Sequence, residues 1–206
     1  MIISLLHKFI FVAIPKTGTH SVRRALRNHM GAEDLEQVGL FVEKQFPIPE
    51  LAKLRHGHLG LSQVQPHIRP DEWPVFFKFA FVRNPFDRFV SYCAFMTRDG
   101  GMFERDPKGV MRHILDQPPL DHVLFQPQHL QLTDADGHLL TNYVGRVEDM
   151  QRSYDEVCQI IGIPTSPLGK INASRRGSYR DYYDQQLIER VAGLYNRDLE
   201  LFDYRF

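Results

Sequence analysis

The sequence has few cysteines, no excess of charge of either sign and no apolar run long enough to cross a membrane. Its two cysteines, Cys93 and Cys158, form no C-x-x-C pair, which excludes a disulfide-rich scaffold and favours buried thiols in a reducing compartment. Lys and Arg number 25, as do Asp and Glu, so neither a surface that coats nucleic acid nor a polybasic membrane-binding face is expected. Any anion site must therefore be local and built from a few residues.

The apolar opening, MIISLLHKFIFVAIP, raises the question of a targeting signal. His7 and Lys8 interrupt it, it is too short to span a bilayer, and no cleavage site of small residues follows it. The segment therefore predicts a buried first strand. We expect a cytoplasmic protein without a transmembrane anchor, and the sequence does not indicate its oligomeric state.

Three short apolar segments predict buried strands, because each is β-branched or aromatic and continuous rather than alternating. The predicted strands are Phe9–Ile14, Val75–Val82 and Asn142–Val147. A segment with apolar residues at helical spacing follows each strand. The predicted helices are Val22–Met30 with a stop at Gly31, a helix capped by Asn84 with Pro85 in its first position, a helix from the Asp149 cap to Gly162, and Gln185–Tyr195.

The 206 residues contain no repeat and no Gly/Ser linker, and they predict one domain over residues 1–206. A strand followed by a helix, three times over, predicts right-handed crossovers. We therefore expect a three-layer α/β fold with a central, mostly parallel sheet and helices on both faces. In such folds the ligand lies beyond the carboxyl ends of the strands, which is where chemistry is to be sought.

The first predicted strand ends in a loop of glycine and small hydroxyl residues, Pro15–Ser21, that leads directly into a helix. Backbone N–H groups, the positive end of the helix and the Lys16 ammonium group together favour a phosphate site. The Walker pattern GxxxxGK[ST] is absent, because the lysine precedes Gly18 rather than following it. The alternative is a capped helix with a surface lysine.

The second predicted strand ends at Arg83, and Ser91 lies on the helix that follows. A guanidinium group and a hydroxyl can hold a phosphate together through charge-assisted hydrogen bonds. The alternative is a structural ion pair between Arg83 and Asp87. Two anion sites at neighbouring strand ends favour a ligand with phosphates at both ends, such as adenosine 3′,5′-bisphosphate.

These two loops carry a specific resemblance. PKTGT at 15–19 and RNPFDRFVS at 83–91 resemble the 5′-phosphosulfate and 3′-phosphate loops of sulfotransferases that use 3′-phosphoadenosine 5′-phosphosulfate (PAPS). They are most similar to the carbohydrate branch, which includes Golgi-type enzymes and uronyl 2-O-sulfotransferases. The likeness continues, in order and over nearly the whole chain, through Tyr143–Met150, Ile171–Ser174, Tyr179–Tyr183 and Leu199–Tyr204.

The resemblance implies a P-loop-like sulfotransferase fold, PAPS as the co-substrate and adenosine 3′,5′-bisphosphate as the product. It implies that the 5′-phosphosulfate is held by Lys16, Thr17, Gly18, Thr19, His20 and Ser21, and the 3′-phosphate by Arg83 and Ser91. Arg176 and Gly177 are similar to a later basic loop that closes over the 3′-phosphate. Eukaryotic relatives begin with a membrane anchor that is missing here, which indicates a soluble, bacterial-type member.

A pair of histidines in Arg55-His56-Gly57-His58 is the candidate catalytic segment. In an extended stretch the two imidazoles would share a face, and three interpretations are open: a metal site, hydrogen-bonded structural histidines, or a general base. His-Gly-His resembles the catalytic segment of uronyl 2-O-sulfotransferases, in which the second histidine takes the proton of the acceptor hydroxyl. An imidazole with a pKa near 6.5 suits this role at neutral pH.

The sequence thus predicts a sulfotransferase that moves a sulfuryl group from PAPS to a hydroxyl, with a carbohydrate as the favoured acceptor. His58 would be the base, Lys16 would stabilise the leaving phosphate oxygen, and His56 would assist; no metal is required. Glu148 is the carboxylate alternative to the histidine base, and Gln126–His129 is a weaker candidate for the acceptor pocket. The competing interpretations are an atypical P-loop kinase and a nucleotide-binding module without catalysis.

Overall fold

The computed structural model describes residues 1–40, 42–169 and 177–206. The chain divides into two compact units: unit 1 comprises Met1–Val82 and Leu130–Asn172, and unit 2 comprises Arg83–His129 and Ala173–Phe206. The division does not test the prediction of a single domain, which stays a prediction.

Within the described residues, the strands all belong to unit 1 and the helices are shared between the units. The strands are β1 (Ile2–Ser4), β2 (Phe9–Val12), β3 (Leu35–Glu36), β4 (Val38–Leu40), β5 (Val42–Lys44), β6 (Phe77–Val82) and β7 (Tyr143–Arg146). The helices are α1 (Thr19–Arg27), α2 (Pro49–Ala52), α3 (Leu61–Val64), α4 (Pro85–Met96), α5 (Met102–Arg105), α6 (Pro107–Asp116), α7 (Met150–Ile161), α8 (Gln185–Leu194) and α9 (Asn196–Leu201). None of these helices combines the length and the apolar character needed to cross a bilayer.

The described part of unit 1 contains a mixed sheet in the order β3-β1-β2-β6-β7. Its central strands β2, β6 and β7 are parallel, whereas β1 pairs antiparallel with both β2 and β3. The predicted α/β fold with a parallel core flanked by helices is therefore confirmed. The hairpin β4–β5 forms a separate small sheet.

The apolar opening forms two strands rather than the single predicted one. Residues 5–8 turn the chain between β1 and β2. The Ser4 hydroxyl oxygen accepts a hydrogen bond from the His7 N–H at 3.0 Å, and Asp34 accepts one from the Leu5 N–H at 2.7 Å. These contacts satisfy backbone groups that a continuous strand would have paired with a neighbour, and so they stabilise the turn.

Aromatic side chains form the core on one face of the parallel sheet. Because successive strand residues alternate between faces, Phe9 and Phe11 of β2 lie on the same face as Phe79 and Phe81 of β6. Helices α1 and α7 pack on this face through Val22, Leu26, Tyr154, Val157 and Cys158. Burial of one such phenylalanine contributes about 1.5–3 kcal/mol. On the opposite face Ile10, Val12 and Ala80 are also buried, which explains why these strands lack polar alternation.

The predicted helix ends are partly confirmed. Asn84 caps α4, since its side-chain oxygen accepts a hydrogen bond from the Phe86 N–H at 3.0 Å. Gly162 ends α7 with φ +70°, a conformation that glycine adopts without strain. The capping prediction for Asp149 was wrong in part: it occupies the N-cap position of α7, but its side chain makes no capping hydrogen bond.

Other boundaries are shorter than predicted. Helix α1 ends at Arg27 with Asn28 as its C-cap, before the glycine that was expected to stop it. Strand β6 begins at Phe77, because Val75 lies in a 3-10 turn with Pro74, and proline has no N–H to donate to a sheet. Strand β2 ends at Val12, so the loop to α1 begins earlier than the apolar pattern indicates.

The parallel pairing of β2 and β6 aligns Val12 with Ala80, so both strands end at the same edge of the sheet. The chain leaves β2 for the loop that precedes α1, and it leaves β6 at Val82, immediately before Arg83. The structure thus confirms that both candidate loops follow adjacent parallel strands.

Unit 2 is helical in its described residues and has an aromatic core of its own. Side chains of α4, α6 and α8 pack together, including Phe86, Phe89, Cys93, Met111, Leu187 and Val191. Helix α4 is the central element of this core, and it also carries the predicted phosphate ligand Ser91.

Candidate functional site: a strand-to-helix loop and a partly buried histidine in unit 1, an arginine loop in unit 2

The loop between β2 and α1 has an unusual backbone conformation. Lys16 has φ +67° and Gly18 has φ +71°, so two left-handed residues are separated by one. A left-handed conformation costs a residue with a side chain about 1–2 kcal/mol. At Gly18 a Cβ atom would lie 2.9 Å from the Cε atom of Met150, the flexible end of a side chain, so it is the left-handed backbone that favours glycine at this position. Left-handed residues of this kind turn successive N–H groups toward one point and create an anion-binding concavity.

Helix α1 begins at Thr19 with its positive end at this loop. Its N-cap residue is Gly18, which has no side chain to cap the helix. No acidic residue lies in the first turn of α1 either. A helix end of this type carries roughly half a positive elementary charge and suits an anionic group.

Two hydroxyl side chains of the loop, those of Thr17 and Ser21, are engaged with backbone carbonyl groups. Thr17 is buried and its hydroxyl donates a hydrogen bond to the Ile14 carbonyl at 2.9 Å, which closes the loop. The Ser21 hydroxyl donates to the Gly169 carbonyl at 2.8 Å. The Thr17 side chain therefore has a structural role, and the loop backbone and Lys16 are candidate anion-binding groups.

His58 is held directly against the strand that leads into this loop. Its Nδ1 lies 2.6 Å from the carbonyl oxygen of Ala13. Because a carbonyl oxygen only accepts hydrogen bonds, Nδ1 carries the proton in this contact, and the lone pair of the neutral ring lies on Nε2. The contact thus fixes the tautomer that a general base needs.

Neighbouring residues fix the main chain on both sides of this ring. The His58 N–H donates to Nδ1 of His56 at 3.3 Å, and the two rings lie 6.2 Å apart between centroids. Nε2 of Gln131 donates to the His58 carbonyl at 2.7 Å. One guanidinium nitrogen of Arg23 donates to the Gly57 carbonyl at 3.1 Å. The two predicted histidines are therefore brought together, and their segment is tied to helix α1 through Arg23.

Burial disfavours the charged forms of these side chains. Burial is the largest cause that lowers the pKa of His58 to about 3, and the nearby Arg23 cation lowers it further, whereas the hydrogen bond to Ala13 opposes the shift. Burial likewise lowers the pKa values of His56 and of His20, and it lowers that of Arg23 to about 10. His58 is thus neutral at physiological pH but a weaker base than an imidazole with its usual pKa near 6.5, which corrects the sequence-based expectation.

Arg83 forms the ion pair that was the structural alternative for the second loop. Its Nε atom and one terminal nitrogen each lie 2.7 Å from Oδ2 of Asp87. Asp87 and Ser91 are four residues apart on α4 and therefore lie on the same side of the helix. Nε and one terminal nitrogen of the guanidinium group thus face Asp87.

The other predicted site residues are placed as follows. Gly177 is exposed at the start of the described C-terminal part of unit 2, and Arg176 lies outside the described residues. Glu148 is exposed in a 3-10 turn between β7 and α7. A base at this position would be solvated, whereas His58 is partly buried.

Sequence reasoning missed Arg23 and Gln131 in unit 1 and Gln128 and Asp198 in unit 2. All four are polar side chains that are nearly or fully buried. Their hydrogen-bond partners lie far from them in the sequence, so no local motif indicates their role. The one available signal was indirect, since Gln128 lies in the Gln126–His129 segment that the sequence offered for the acceptor pocket.

A group of potential metal ligands among the described residues lies elsewhere, at Asp134, Asp136 and His138. Asp134 Oδ1 accepts hydrogen bonds from the N–H groups of Asp136 and His138, at 3.0 and 2.8 Å. The group lies in a polar turn that an isolated bridge from Thr133 to Leu139 closes.

Comparison with known proteins identifies the family. A search of curated proteins gives no match. A sulfotransferase from Alicyclobacillus acidocaldarius, known from its crystal structure, is 18% identical, with coverage of 96% of this chain and 98% of that one and a TM-score of 0.42. The model of the sulfotransferase family matches residues 1–205, which is nearly the whole chain. The chain therefore belongs to the sulfotransferase family.

Proposed function

We propose that this chain, acting as one catalytic domain, transfers a sulfuryl group from PAPS to a carbohydrate hydroxyl. Membership of the sulfotransferase family supports sulfuryl transfer in general. The specific co-substrate, acceptor and base are inferred from the two loops and from the histidine segment.

The observation that carries the proposal is the contact between Nδ1 of His58 and the Ala13 carbonyl. Ala13 lies two residues before Pro15, where the candidate phosphosulfate loop begins. A proton acceptor and an anion-binding loop are therefore linked within unit 1 through a single hydrogen bond of 2.6 Å. A transferase needs these two groups close together, whereas a module that only binds nucleotides does not need the histidine.

In the proposed reaction the acceptor oxygen attacks sulfur in line with the leaving oxygen. A sulfur–oxygen bond forms to the acceptor, and the bond between sulfur and the 5′-phosphate oxygen breaks, with its electron pair leaving on that oxygen. The acceptor proton moves to Nε2 of His58. Lys16 and the backbone N–H groups at the start of α1 stabilise the charge that develops on the leaving oxygen. The loop fits this anion, because its backbone conformation and the helix end both favour negative charge.

Binding of the anion also addresses the low basicity of His58. A negative charge beside an imidazole stabilises its protonated form and raises its pKa. His58 is therefore expected to become a stronger base in the complex with PAPS than in the free protein. Its burial keeps the ring neutral and able to accept a proton until the co-substrate is bound.

Arg83 and Ser91 are assigned to the 3′-phosphate. The guanidinium fork of Arg83 can pair with phosphate oxygens in a bidentate manner. Asp87 holds the fork in one orientation at the start of α4. A co-substrate with a 3′-phosphate should therefore be distinguished from one that lacks it.

An acceptor screen with radiolabelled PAPS tests this function most directly. We expect transfer of label to a carbohydrate in the presence of EDTA, because the proposed scheme requires no metal. ATP-dependent phosphorylation that requires magnesium would identify a kinase instead. Tight binding of adenosine 3′,5′-bisphosphate without transfer to any acceptor would favour a binding module.

A further inference from the structure

A network of buried polar side chains in unit 2 is hydrogen-bonded to the main chain of Arg83. Its central part is the segment 124–129, most of which belongs to no strand or helix. The carbonyl groups of Leu124 and Gln126 accept hydrogen bonds from one terminal nitrogen of Arg88, at 3.1 and 2.9 Å. The Phe125 carbonyl accepts one from the Tyr195 hydroxyl at 2.8 Å. An irregular backbone buried in this way needs such partners, because an unpaired polar group costs free energy.

Asp198 holds the other end of the segment. It lies on α9 and is completely buried. Its carboxylate accepts hydrogen bonds from the N–H groups of Gln128 and His129, at 2.8 and 2.9 Å, and from Nδ1 of His129 at 2.7 Å. The buried Arg88 cation interacts electrostatically with this carboxylate, so the segment is held between two opposite charges.

Gln128 connects this network to Arg83. Its Oε1 accepts a hydrogen bond from the Arg83 N–H at 2.9 Å, and its Nε2 donates to the Arg83 carbonyl at 2.9 Å. The amide of Gln128 thus pairs with the main chain of Arg83 as a neighbouring strand would. Gln128 is fully buried, and both ends of its amide are satisfied, so it has one well-defined orientation.

We propose that Gln128 is a positioning residue for recognition of the nucleotide 3′-phosphate, acting through the backbone of Arg83. This inference rests on the proposed function, since it assumes that Arg83 binds the 3′-phosphate. Two constraints then define the position of the Arg83 guanidinium group. Gln128 fixes the peptide groups of Arg83, and Asp87 fixes the orientation of the guanidinium fork. Loss of the first constraint leaves Arg83 free to adopt conformations in which the fork does not meet the phosphate.

The test is the selectivity ratio, defined as the Kd for adenosine 5′-phosphate divided by the Kd for adenosine 3′,5′-bisphosphate, both measured by calorimetry. The two nucleotides differ only in the 3′-phosphate, so a loss of folded protein does not change the ratio. Gln128→Met keeps the approximate length of the side chain and removes both hydrogen bonds. We expect it to lower the ratio at least about fivefold, the effect of roughly one to two hydrogen bonds.

Three further variants make the test decisive. Gln128→Asn keeps an amide but is too short to reach Arg83, and it should lower the ratio even if the Met variant does not fold. Tyr195→Phe removes a hydrogen bond to the same segment without touching Gln128 or Arg83, and it should leave the ratio unchanged. Arg83→Ala should lower the ratio by about tenfold, the effect of one charge-assisted contact.

The outcomes separate the inference from the proposed function. If Arg83→Ala lowers the ratio and both Gln128 variants leave it unchanged, the positioning role is overturned and the proposed function stands. If Arg83→Ala leaves the ratio unchanged, or if the unaltered protein does not discriminate, the assignment of Arg83 to the 3′-phosphate is wrong. A fall in the ratio with Tyr195→Phe as large as that with Gln128→Met would also overturn the role, because any disturbance of the segment would then suffice.

Discussion

The two candidate phosphate loops follow adjacent strands of one sheet but are built in different ways. In residues 13–21 the candidate anion-binding feature is the backbone: Lys16 and Gly18 are left-handed, and helix α1 follows with Gly18 as its N-cap. In residues 83–91 it is a side chain, the guanidinium of Arg83, which an ion pair with Asp87 orients. One loop depends on conformation and the other on a charged fork.

This difference favours different roles for the two loops. The first loop is hydrogen-bonded to a candidate proton acceptor through the contact between Ala13 and His58. We therefore assign the chemistry to the first loop and recognition of the nucleotide to the second. Substitutions in the first should change kcat, and substitutions in the second should change affinity.

The largest effect is expected at Lys16. Lys16→Ala should lower kcat at least about a hundredfold, because loss of a positioned donor at a developing negative charge has an effect of this size. Binding of adenosine 3′,5′-bisphosphate should stay within a few-fold of normal, and Lys53→Ala, at an exposed lysine of the same unit, is the control. A Lys16 variant with normal kcat and only a raised KM would show that the first loop also serves ordinary binding, and the comparison would fail.

A similar loss of kcat is expected at His58. His58→Ala should lower kcat at least about a hundredfold and leave the binding of adenosine 3′,5′-bisphosphate unchanged, since a positioned base contributes about 10²–10⁴-fold. His56→Ala should cost less, because His56 accepts a hydrogen bond from the backbone N–H of His58 and does not take up the acceptor proton in the proposed reaction. The exposed His67 supplies the control variant. Full turnover of His58→Ala with the true acceptor would place the base elsewhere, with His56 or Glu148 next to be tested.

At Arg83 we expect a smaller effect, on nucleotide affinity rather than on kcat. Arg83→Ala should weaken the binding of adenosine 3′,5′-bisphosphate by about tenfold, the effect of one charge-assisted contact. With saturating PAPS, kcat should remain within a few-fold of normal. Comparison of initial rates with calorimetry separates the two quantities. A loss of kcat as large as that expected for Lys16 would contradict the assignment of recognition to the second loop.

The smallest effect concerns the pH dependence of kcat/KM. In the proposed reaction the deprotonated imidazole of His58 is the active form, and its pKa in the free protein is lowered to about 3. Activity governed by this group is therefore present above that value and is lost only as the pH falls toward it. The ratio kcat/KM, which reports the free protein, should thus stay level through a pH of about 6.5, where an ordinary histidine titrates. An acid limb centred there would contradict the buried, neutral state of His58.

The sequence was a good guide to features that leave a local pattern. The continuous apolar segments predicted β2, β6 and β7, because strands covered on both faces need no polar alternation. Asn84 followed by Pro85 predicted the start of α4, because both residues satisfy the free groups of a helix N-terminus. The loop between β2 and α1 followed from the order of strand, glycine and helix.

Features that depend on distant residues could not be predicted. The hairpin of β1 and β2 is stabilised by Asp34, which lies about thirty positions along the chain. The tautomer and lowered pKa of His58 follow from its burial and from a bond to Ala13, which only the folded chain brings together. The contact of Gln128 with Arg83 spans a similar separation, and nothing in a sequence pattern distinguishes such a glutamine from one at the surface.

The most direct test of the central claim is calorimetry of the unaltered protein with adenosine 3′,5′-bisphosphate and with ADP. The proposed function depends on recognition of a 3′-phosphate, and a charge-assisted contact to that group contributes about 1.5–3 kcal/mol. We therefore expect the bisphosphate to bind at least about tenfold more tightly than ADP. Equal affinities, or tighter binding of ADP, would contradict the assignment of PAPS as the co-substrate.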